Sequence, residues 1–142
     1  MSKIAVIYWS GTGNTQAMAE AVAEGAKNAG AQADLFSVSD TSADAAAAYD
    51  KLALGCPAMG AEVLEESEFE PFFTELEGRL SGKKVALFGS YGWGDGQWMR
   101  DWADRLAASG AAASGEPLIV NEAPDDGGLA QCRALGAALA GV

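Results

Sequence analysis

The sequence predicts a single-domain α/β fold with a parallel sheet over residues 1–142. Short apolar runs alternate along the chain with longer segments of helical periodicity. Polar or glycine-rich loops follow the first, third and fourth apolar runs, at the edge where an open parallel sheet binds its ligands. A length of 142 residues suits one domain with a full core.

The first strand and the loop after it set the pattern. Residues 4–9 are apolar and predict a buried strand, after which Ser10 opens a stretch of hydroxyl, amide and glycine residues that ends at Thr15. Small apolar residues then recur at helical spacing up to Gly30, a residue that suits a helix end. The chain therefore begins with a strand, a polar loop and a helix N-terminus.

The remaining elements follow from the same signals. Apolar runs predict strands over 31–38, 51–55, 84–89 and 110–120, and helical periodicity predicts helices over 43–48, 69–80, 97–109 and 130–139. Trp98, Trp102 and Leu106 recur every four residues, with Met99 beside them, so we expect this side of the helix to face the core.

The loop after the first strand has the chemistry of a phosphate site without a basic residue. The first N–H groups of a helix lack internal acceptors and lie at the positive end of its dipole. Gln16 stands where a Walker loop or a dinucleotide fingerprint has its last glycine, so neither motif is present. A turn that binds nothing is the alternative. The candidate ligand residues are Ser10, Gly11, Thr12, Gly13, Asn14 and Thr15.

Composition excludes several function classes. The net charge of −11, from 20 acidic and 9 basic residues, disfavours nucleic acid and anionic membranes as partners. The chain has no His, which excludes His metal sites and His-dependent nucleophiles. Cys56 and Cys132 are too few for a disulfide framework and predict free thiols. With no membrane span or signal peptide in the pattern, we expect a cytoplasmic protein whose chemistry is carried by a cofactor.

Topology predicts that loops 9–15, 55–62 and 89–96 meet at one sheet edge. Met59 and Trp93 are the bulky side chains of the second and third loops, and a planar aromatic ligand between them would bury both. The alternative is that each side chain folds back onto the core.

These loops together resemble the short-chain flavodoxins, and the resemblance covers essentially the whole chain, including residues 118–122. The residues that carry it are 8–15 (YWSGTGNT), 55–60 (GCPAMG) and 89–96 (GSYGWGDG). The resemblance implies a flavodoxin-like three-layer sandwich whose five parallel strands have the order 2-1-3-4-5. It also implies a non-covalently bound FMN and a low-potential one-electron carrier that substitutes for ferredoxin.

The resemblance implies roles for individual residues. Residues 10–15 would hold the phosphate, Met59 and Trp93 would flank the isoalloxazine, the backbone of Gly92 and Trp93 would reach ring O2, and Glu62 would reach N3–H. The peptide after Gly60 would face N5 and stabilise the neutral semiquinone of a semiquinone/hydroquinone shuttle. The full set of implied FMN contacts is Trp9, Ser10, Gly11, Thr12, Gly13, Asn14, Thr15, Pro57, Ala58, Met59, Gly60, Ala61, Glu62, Ser90, Tyr91, Gly92, Trp93 and Gly94.

Two positions depart from the family pattern. Pro57 stands where some relatives have Ser, so one possible hydroxyl donor to FMN is absent. Ala61 would need positive φ if the reduced turn is type II, at a cost of about 1 kcal/mol. We therefore expect a less stable semiquinone than with Gly at this position, which potentiometric titration of Ala61→Gly tests.

Residues 62–77 contain seven carboxylates and no basic residue. A solvated helix face is the plain interpretation. The more specific interpretation is an acidic rim of Glu62, Glu65, Glu66 and Asp95 that attracts ferredoxin- or flavodoxin-dependent redox enzymes. The protein itself is expected to be a monomer. An FMN-dependent quinone or nitro reductase on the same fold is the competing function, but it would need an open flavin face, which Trp93 is expected to cover.

Overall fold

The structure, a computed structural model, describes residues 3–59, 63–92 and 94–142. Strands and helices alternate along these residues, with a short 3-10 turn at Val38–Asp40. The strands are β1 (Lys3–Tyr8), β2 (Gln32–Ser37), β3 (Lys51–Gly55), β4 (Lys84–Tyr91), β5 (Ala112–Ala113) and β6 (Leu118–Asn121). The helices are α1 (Asn14–Asn28), α2 (Ala43–Ala47), α3 (Phe69–Glu77), α4 (Gln97–Ala108) and α5 (Asp126–Ala140).

The strands form one sheet in which every pairing is parallel. Its order is β2-β1-β3-β4-β5, and β6 also pairs with β4. Parallel neighbours need crossover connections, and most of the connecting segments carry a helix. The expected strand order 2-1-3-4-5 is therefore confirmed.

The expected fifth strand, over 110–120, is instead two short strands on the same edge of β4. Ala112–Ala113 pair with the start of β4 and Leu118–Asn121 pair with its end. Between them Gly115 adopts φ +74°, and Pro117 has no N–H to donate to a ladder. The chain therefore leaves the sheet and returns to it.

Helices cover both faces of the sheet, which gives three layers. On one face α1 and α5 enclose a core of Ile4, Val6, Met18 and Val22. On the other face α2, α3 and α4 enclose the larger core, which includes the aromatic side chains of α3. Trp98, Met99, Trp102 and Leu106 are all at most 2% exposed, so the predicted inward face of α4 is confirmed.

Helices α1 and α5 touch at two glycines. A Cβ added to Gly25 would lie 1.9 Å from the Arg133 carbonyl oxygen, and one added to Gly136 would lie 1.9 Å from the Val22 carbonyl oxygen. Only glycine allows the two backbones to approach so closely. This contact fixes the layer behind β1 and β3.

Some boundaries differ from the expected ones where a cap or a pairing overrides the apolar pattern. Helix α5 begins at Asp126 rather than 130 because the Asp125 carboxylate accepts the Gly128 N–H at 2.8 Å. Helix α3 ends at Glu77, with Gly78 as its C-cap, rather than at 80. Strand β4 runs on to Tyr91, opposite Asn121 of β6.

None of the helices in the described residues is long and apolar enough to cross a membrane.

Candidate functional site

A cavity of about 240 Å³ opens at the carboxyl ends of β1, β3 and β4. The three strands end close to one register, with Tyr8 opposite Gly55 and Gly55 opposite Phe88, so the loops after them meet. Ten of the eleven lining residues come from the sequence-predicted set, and Glu122 is the exception. The lining residues are Trp9, Gly11, Thr12, Asn14, Pro57, Ala58, Met59, Ser90, Tyr91, Gly92 and Glu122.

Three other predicted residues belong to the first loop without lining the cavity. Ser10 Oγ accepts the Gly13 N–H at 3.1 Å, which closes the loop on itself. Gly13 is the N-cap of α1 with φ +95°, and Thr15 is buried. Gly94 is exposed and does not line the cavity. The predicted site residues Gly60, Ala61, Glu62 and Trp93 lie outside the described residues.

The N-terminus of α1 opens into the cavity, since Thr12 and Asn14 on either side of the N-cap both line it. The helix has no acidic residue in its first turn and no side-chain cap. Its first intrahelical bond is donated by the Ala17 N–H to the Gly13 carbonyl, so the three preceding N–H groups of the helix have no acceptor within it. This end of α1 therefore offers backbone donors and a positive potential to an anion.

Two buried hydroxyls join this helix end to β4. Thr15 Oγ1 and Ser90 Oγ lie 3.0 Å apart, and the two residues are 1% and 5% exposed. The Ser90 carbonyl in turn accepts the Ala58 N–H at 3.0 Å. Ser90 therefore contacts both neighbouring loops and holds them at fixed separation.

Trp9 forms one wall of the cavity. A Cβ on Gly11 would lie 3.0 Å from its ring, so the loop backbone rests on the indole. Its Nε1–H donates to the Glu68 carboxylate at 3.1 Å, and Glu68 is the N-cap of α3. The indole thus connects the first loop to the start of α3.

The loop after β3 is closed by a two-residue bridge. The Met59 N–H donates to the Val63 carbonyl at 2.9 Å, and the Val63 N–H donates to the Met59 carbonyl at 3.4 Å. Met59 and Val63 therefore hold together the two ends of the segment that contains residues 60–62.

Cys56 supports this loop as a buried thiol. Its Sγ accepts the Glu65 N–H at 3.4 Å, and its carbonyl accepts the Trp98 Nε1–H at 3.1 Å. Burial raises the pKa of the Cys56 thiol far above its ordinary value, and burial raises that of Cys132 to about 11. Both thiols are free and stay protonated at neutral pH, which makes them poor nucleophiles.

The predicted acidic rim is wrong for Glu65, which is only 5% exposed. Its carboxylate accepts backbone N–H groups from Ser67 at 2.9 Å, Glu68 at 2.7 Å and Phe69 at 3.1 Å, together with the Ser67 hydroxyl. Desolvation would raise the pKa of this carboxyl, but the hydrogen bonds outweigh it and hold the pKa below its ordinary value. Glu65 is therefore a buried cap of α3.

The other acidic residues of this region divide into paired and exposed groups. Arg105 binds Glu70 at 2.7 Å and Glu77 at 2.9 Å, and its hydrogen bond holds the pKa of Glu70 below its ordinary value. Asp95 pairs with Arg100 at 3.1 Å, with both side chains largely exposed. Glu66 is exposed. Of the four residues predicted to form the rim, Glu66 and Asp95 lie at the surface.

Glu122 is the lining residue that sequence reasoning did not single out. Its φ is +57°, a left-handed conformation that a glutamate in a sequence does not signal. The available signal was topological. Glu122 directly follows the carboxyl end of the last strand, and that strand pairs with the end of β4.

A family model, two relatives and a solved structure indicate the same family. The sequence matches the family model described as Flavodoxin over residues 6–136. It is 54% identical over 121 residues to a flavodoxin of Clostridium beijerinckii, covering 85% of this chain and 88% of that protein. It is 50% identical over 137 residues to a flavodoxin of Megasphaera elsdenii, covering 96% of this chain and 98% of that protein. The solution structure of two-electron reduced Megasphaera elsdenii flavodoxin superimposes with a TM-score of 0.90, covering 98% of this chain and 99% of that chain at 50% identity.

Proposed function

The chain belongs to the flavodoxin family of FMN-binding electron carriers, and we propose that the cavity at the carboxyl ends of β1, β3 and β4 is its FMN site. The observation that carries this proposal is the N-terminus of α1, which opens into the cavity with no acidic residue in its first turn. Bound FMN supplies the one-electron chemistry. The chain supplies binding, orientation and the surrounding charge.

Uncharged donors of the first loop would hold the phosphate. Thr12 carries a hydroxyl and Asn14 an amide, and both residues line the cavity at the start of α1. Nine Lys and Arg residues occur in the chain, but none lies in residues 9–16. Oriented dipoles of this kind bind an anion without a full positive charge.

The lining of the cavity is also suited to a planar ring. Trp9, Ala58, Met59 and Tyr91 contribute apolar or aromatic surface, and Gly92 contributes bare backbone. A flavin ring that covered these side chains would keep water from them, which favours binding. The described residues offer no observation that favours the reductase alternative.

The proposed partners are redox enzymes that otherwise use ferredoxin, docking with a basic surface beside the cavity. Glu66, Glu68, Asp95 and Glu122 all lie in loops at the carboxyl ends of the strands. Lys3, Lys51 and Lys84 instead begin the three central strands, at the opposite edge of the sheet. The protein would therefore present its negative side to a partner.

Titration of the apoprotein with FMN and with riboflavin tests the site. Asn14→Asp places a carboxylate at the first residue of α1, and we expect it to weaken FMN binding by about tenfold or more because the phosphate is anionic. Riboflavin lacks the phosphate, so its affinity should change by less than about threefold. Binding is followed by the visible spectrum and quenching of flavin fluorescence.

Gln16→Glu is the matched control, since it adds the same charge to the same helical turn at an exposed residue that does not line the cavity. Its effect on FMN should be clearly smaller than that of Asn14→Asp. Equal losses for FMN and riboflavin in Asn14→Asp would place the phosphate elsewhere. A wild-type apoprotein that binds neither flavin would refute the function itself.

A further inference from the structure

Glu122 adopts a backbone conformation that requires an explanation. It is the only non-glycine residue with positive φ, at +57°, among the residues that the structure describes. Left-handed backbone is unfavourable for residues other than Gly, Asn and Asp, and it persists where surrounding contacts enforce it. Glu122 also lines the cavity, which places this strained residue at the proposed site.

The contact that holds Glu122 in place is with the last residue of β4. The Glu122 N–H donates to the Tyr91 carbonyl oxygen at 2.6 Å, and Asn121 Nδ2 donates to the same oxygen at 3.3 Å. The Glu122 bond is the last one of the parallel β4–β6 ladder, which ends at the pair Tyr91 and Asn121, and the Asn121 side chain adds a second donor. We call Asn121 and Glu122 the 121–122 clamp.

The clamp determines which way the next amide points. Strand β4 lies between β3 and β6, and its successive carbonyl groups point to these two neighbours in turn. The Ser90 carbonyl accepts the N–H of Ala58, which follows β3, whereas the Tyr91 carbonyl accepts from the 121–122 clamp at the end of β6. No described peptide bond is cis, so the Gly92 N–H points opposite to the Tyr91 carbonyl. That direction is away from β6 and toward residues 57–59, where the cavity lies.

From this geometry we infer that Asn121 and Glu122 are positioning residues, which hold the Gly92 N–H toward an acceptor atom on the edge of the bound ring. The inference rests on the proposed FMN site. The Glu122 N–H lies in the Asn121–Glu122 peptide plane, and the left-handed φ of Glu122 lets the chain turn away from β4 directly after it. A residue that resists this φ would pull that peptide off β4. The Glu122 side chain is not needed for this role, since both clamp donors are the backbone of residue 122 and the Asn121 amide.

Two uncharged substitutions separate backbone from charge. Glu122→Asn and Glu122→Val both remove the carboxylate, but Asn tolerates left-handed backbone whereas a β-branched residue does not. We expect Glu122→Asn to bind FMN within about threefold of wild type and Glu122→Val to bind about tenfold more weakly. The loss in Glu122→Val should be the same for FMN and riboflavin, because the clamp acts on the ring and not on the phosphate.

The Gly92 amide gives a direct readout. In the FMN-loaded protein its NMR resonance should move upfield, as a weakened hydrogen bond requires, in Glu122→Val and in Asn121→Ala but not in Glu122→Asn. Equal FMN affinities and unchanged Gly92 shifts in all three variants would overturn the inference. So would a larger loss for FMN than for riboflavin, which would mean that the substitution acts on the phosphate part of the site and not on the ring. Wild type that binds no flavin would instead refute the function proposed above.

Discussion

The buried carboxylate of Glu65 supports the first turn of α3 with its negative charge. It accepts three backbone N–H groups and the Ser67 hydroxyl, and Glu65 itself donates its N–H to Cys56. We expect Glu65→Ala to lower the free energy of unfolding by about 2 kcal/mol, since buried donors lose a charged acceptor. Glu65→Gln keeps one acceptor oxygen and should cost about 1 kcal/mol. Urea unfolding at a fixed, saturating FMN concentration measures both.

Glu66 supplies the matched control, because it is the adjacent acid and is exposed. Glu66→Gln should change stability by less than about 0.5 kcal/mol. The contribution of Glu65 should also depend on pH. Folding lowers the pKa of its carboxyl, so the contribution is complete above the ordinary value of 4.5 and is lost as the pH falls through the lower folded-state pKa. A gap between wild type and Glu65→Gln that grows on acidification would contradict this role.

Residues with local chemical signatures could be predicted from sequence, and residues with tertiary roles could not. Thr12 and Asn14 were identifiable because hydroxyl, amide and glycine residues directly precede a helix. Glu65 looks like any acid in an acidic segment, and its burial depends on how the start of α3 meets Cys56. Glu122 owes its role to a strand pairing that brings it to Tyr91. Sequence spacing does not encode either contact.

The contact between α1 and α5 sets the packing of one whole face. Gly136→Ala would place a Cβ 1.9 Å from the Val22 carbonyl and 2.9 Å from the Ala26 nitrogen, so the helices must separate. We expect it to lower the free energy of unfolding by about 3 kcal/mol. Gly127→Ala makes the same change in the same helix, where the nearest atom is 3.4 Å away on Asp125.

Because alanine is the better helix former, Gly127→Ala should be neutral or stabilising by up to about 1 kcal/mol. Thermal and urea unfolding of the two variants under identical conditions gives the comparison. Similar destabilisation by both substitutions would mean that helix propensity, and not the close approach of α1 and α5, governs the result.

The order of the strands and helices could be predicted from the alternating periodicity of the sequence, but the residues at which some of them begin and end could not. The pattern predicted the order of strands and helices, because buried parallel strands and amphipathic helices have distinct repeats. It missed the break in the fifth strand, where Pro117 still lies within an apolar run. It also missed the start of α5, since Gly127 and Gly128 are weak helix formers that the Asp125 cap brings into the helix.

For the molecule as a whole, the distribution of charge matters more than its sum. The net charge of −11 would repel any anion weakly and evenly. Exposed acids such as Glu66 and Glu122 instead lie at the carboxyl edge of the sheet, and Lys3, Lys51 and Lys84 lie at the amino edge. A partner that approaches the cavity therefore meets a more negative surface than the net charge alone suggests.

This polarity predicts how electron transfer depends on salt. Oxidation of the reduced protein by cationic hexaammineruthenium(III) should slow as ionic strength rises, and oxidation by anionic ferricyanide should accelerate. Glu66→Gln, at the carboxyl edge, should lower the low-salt rate with the cation by about two- to threefold. Asp50→Asn removes the same charge just before β3, at the amino edge, and should leave that rate nearly unchanged. Equal effects of the two substitutions would show that net charge, and not an acidic surface beside the cavity, steers the oxidant.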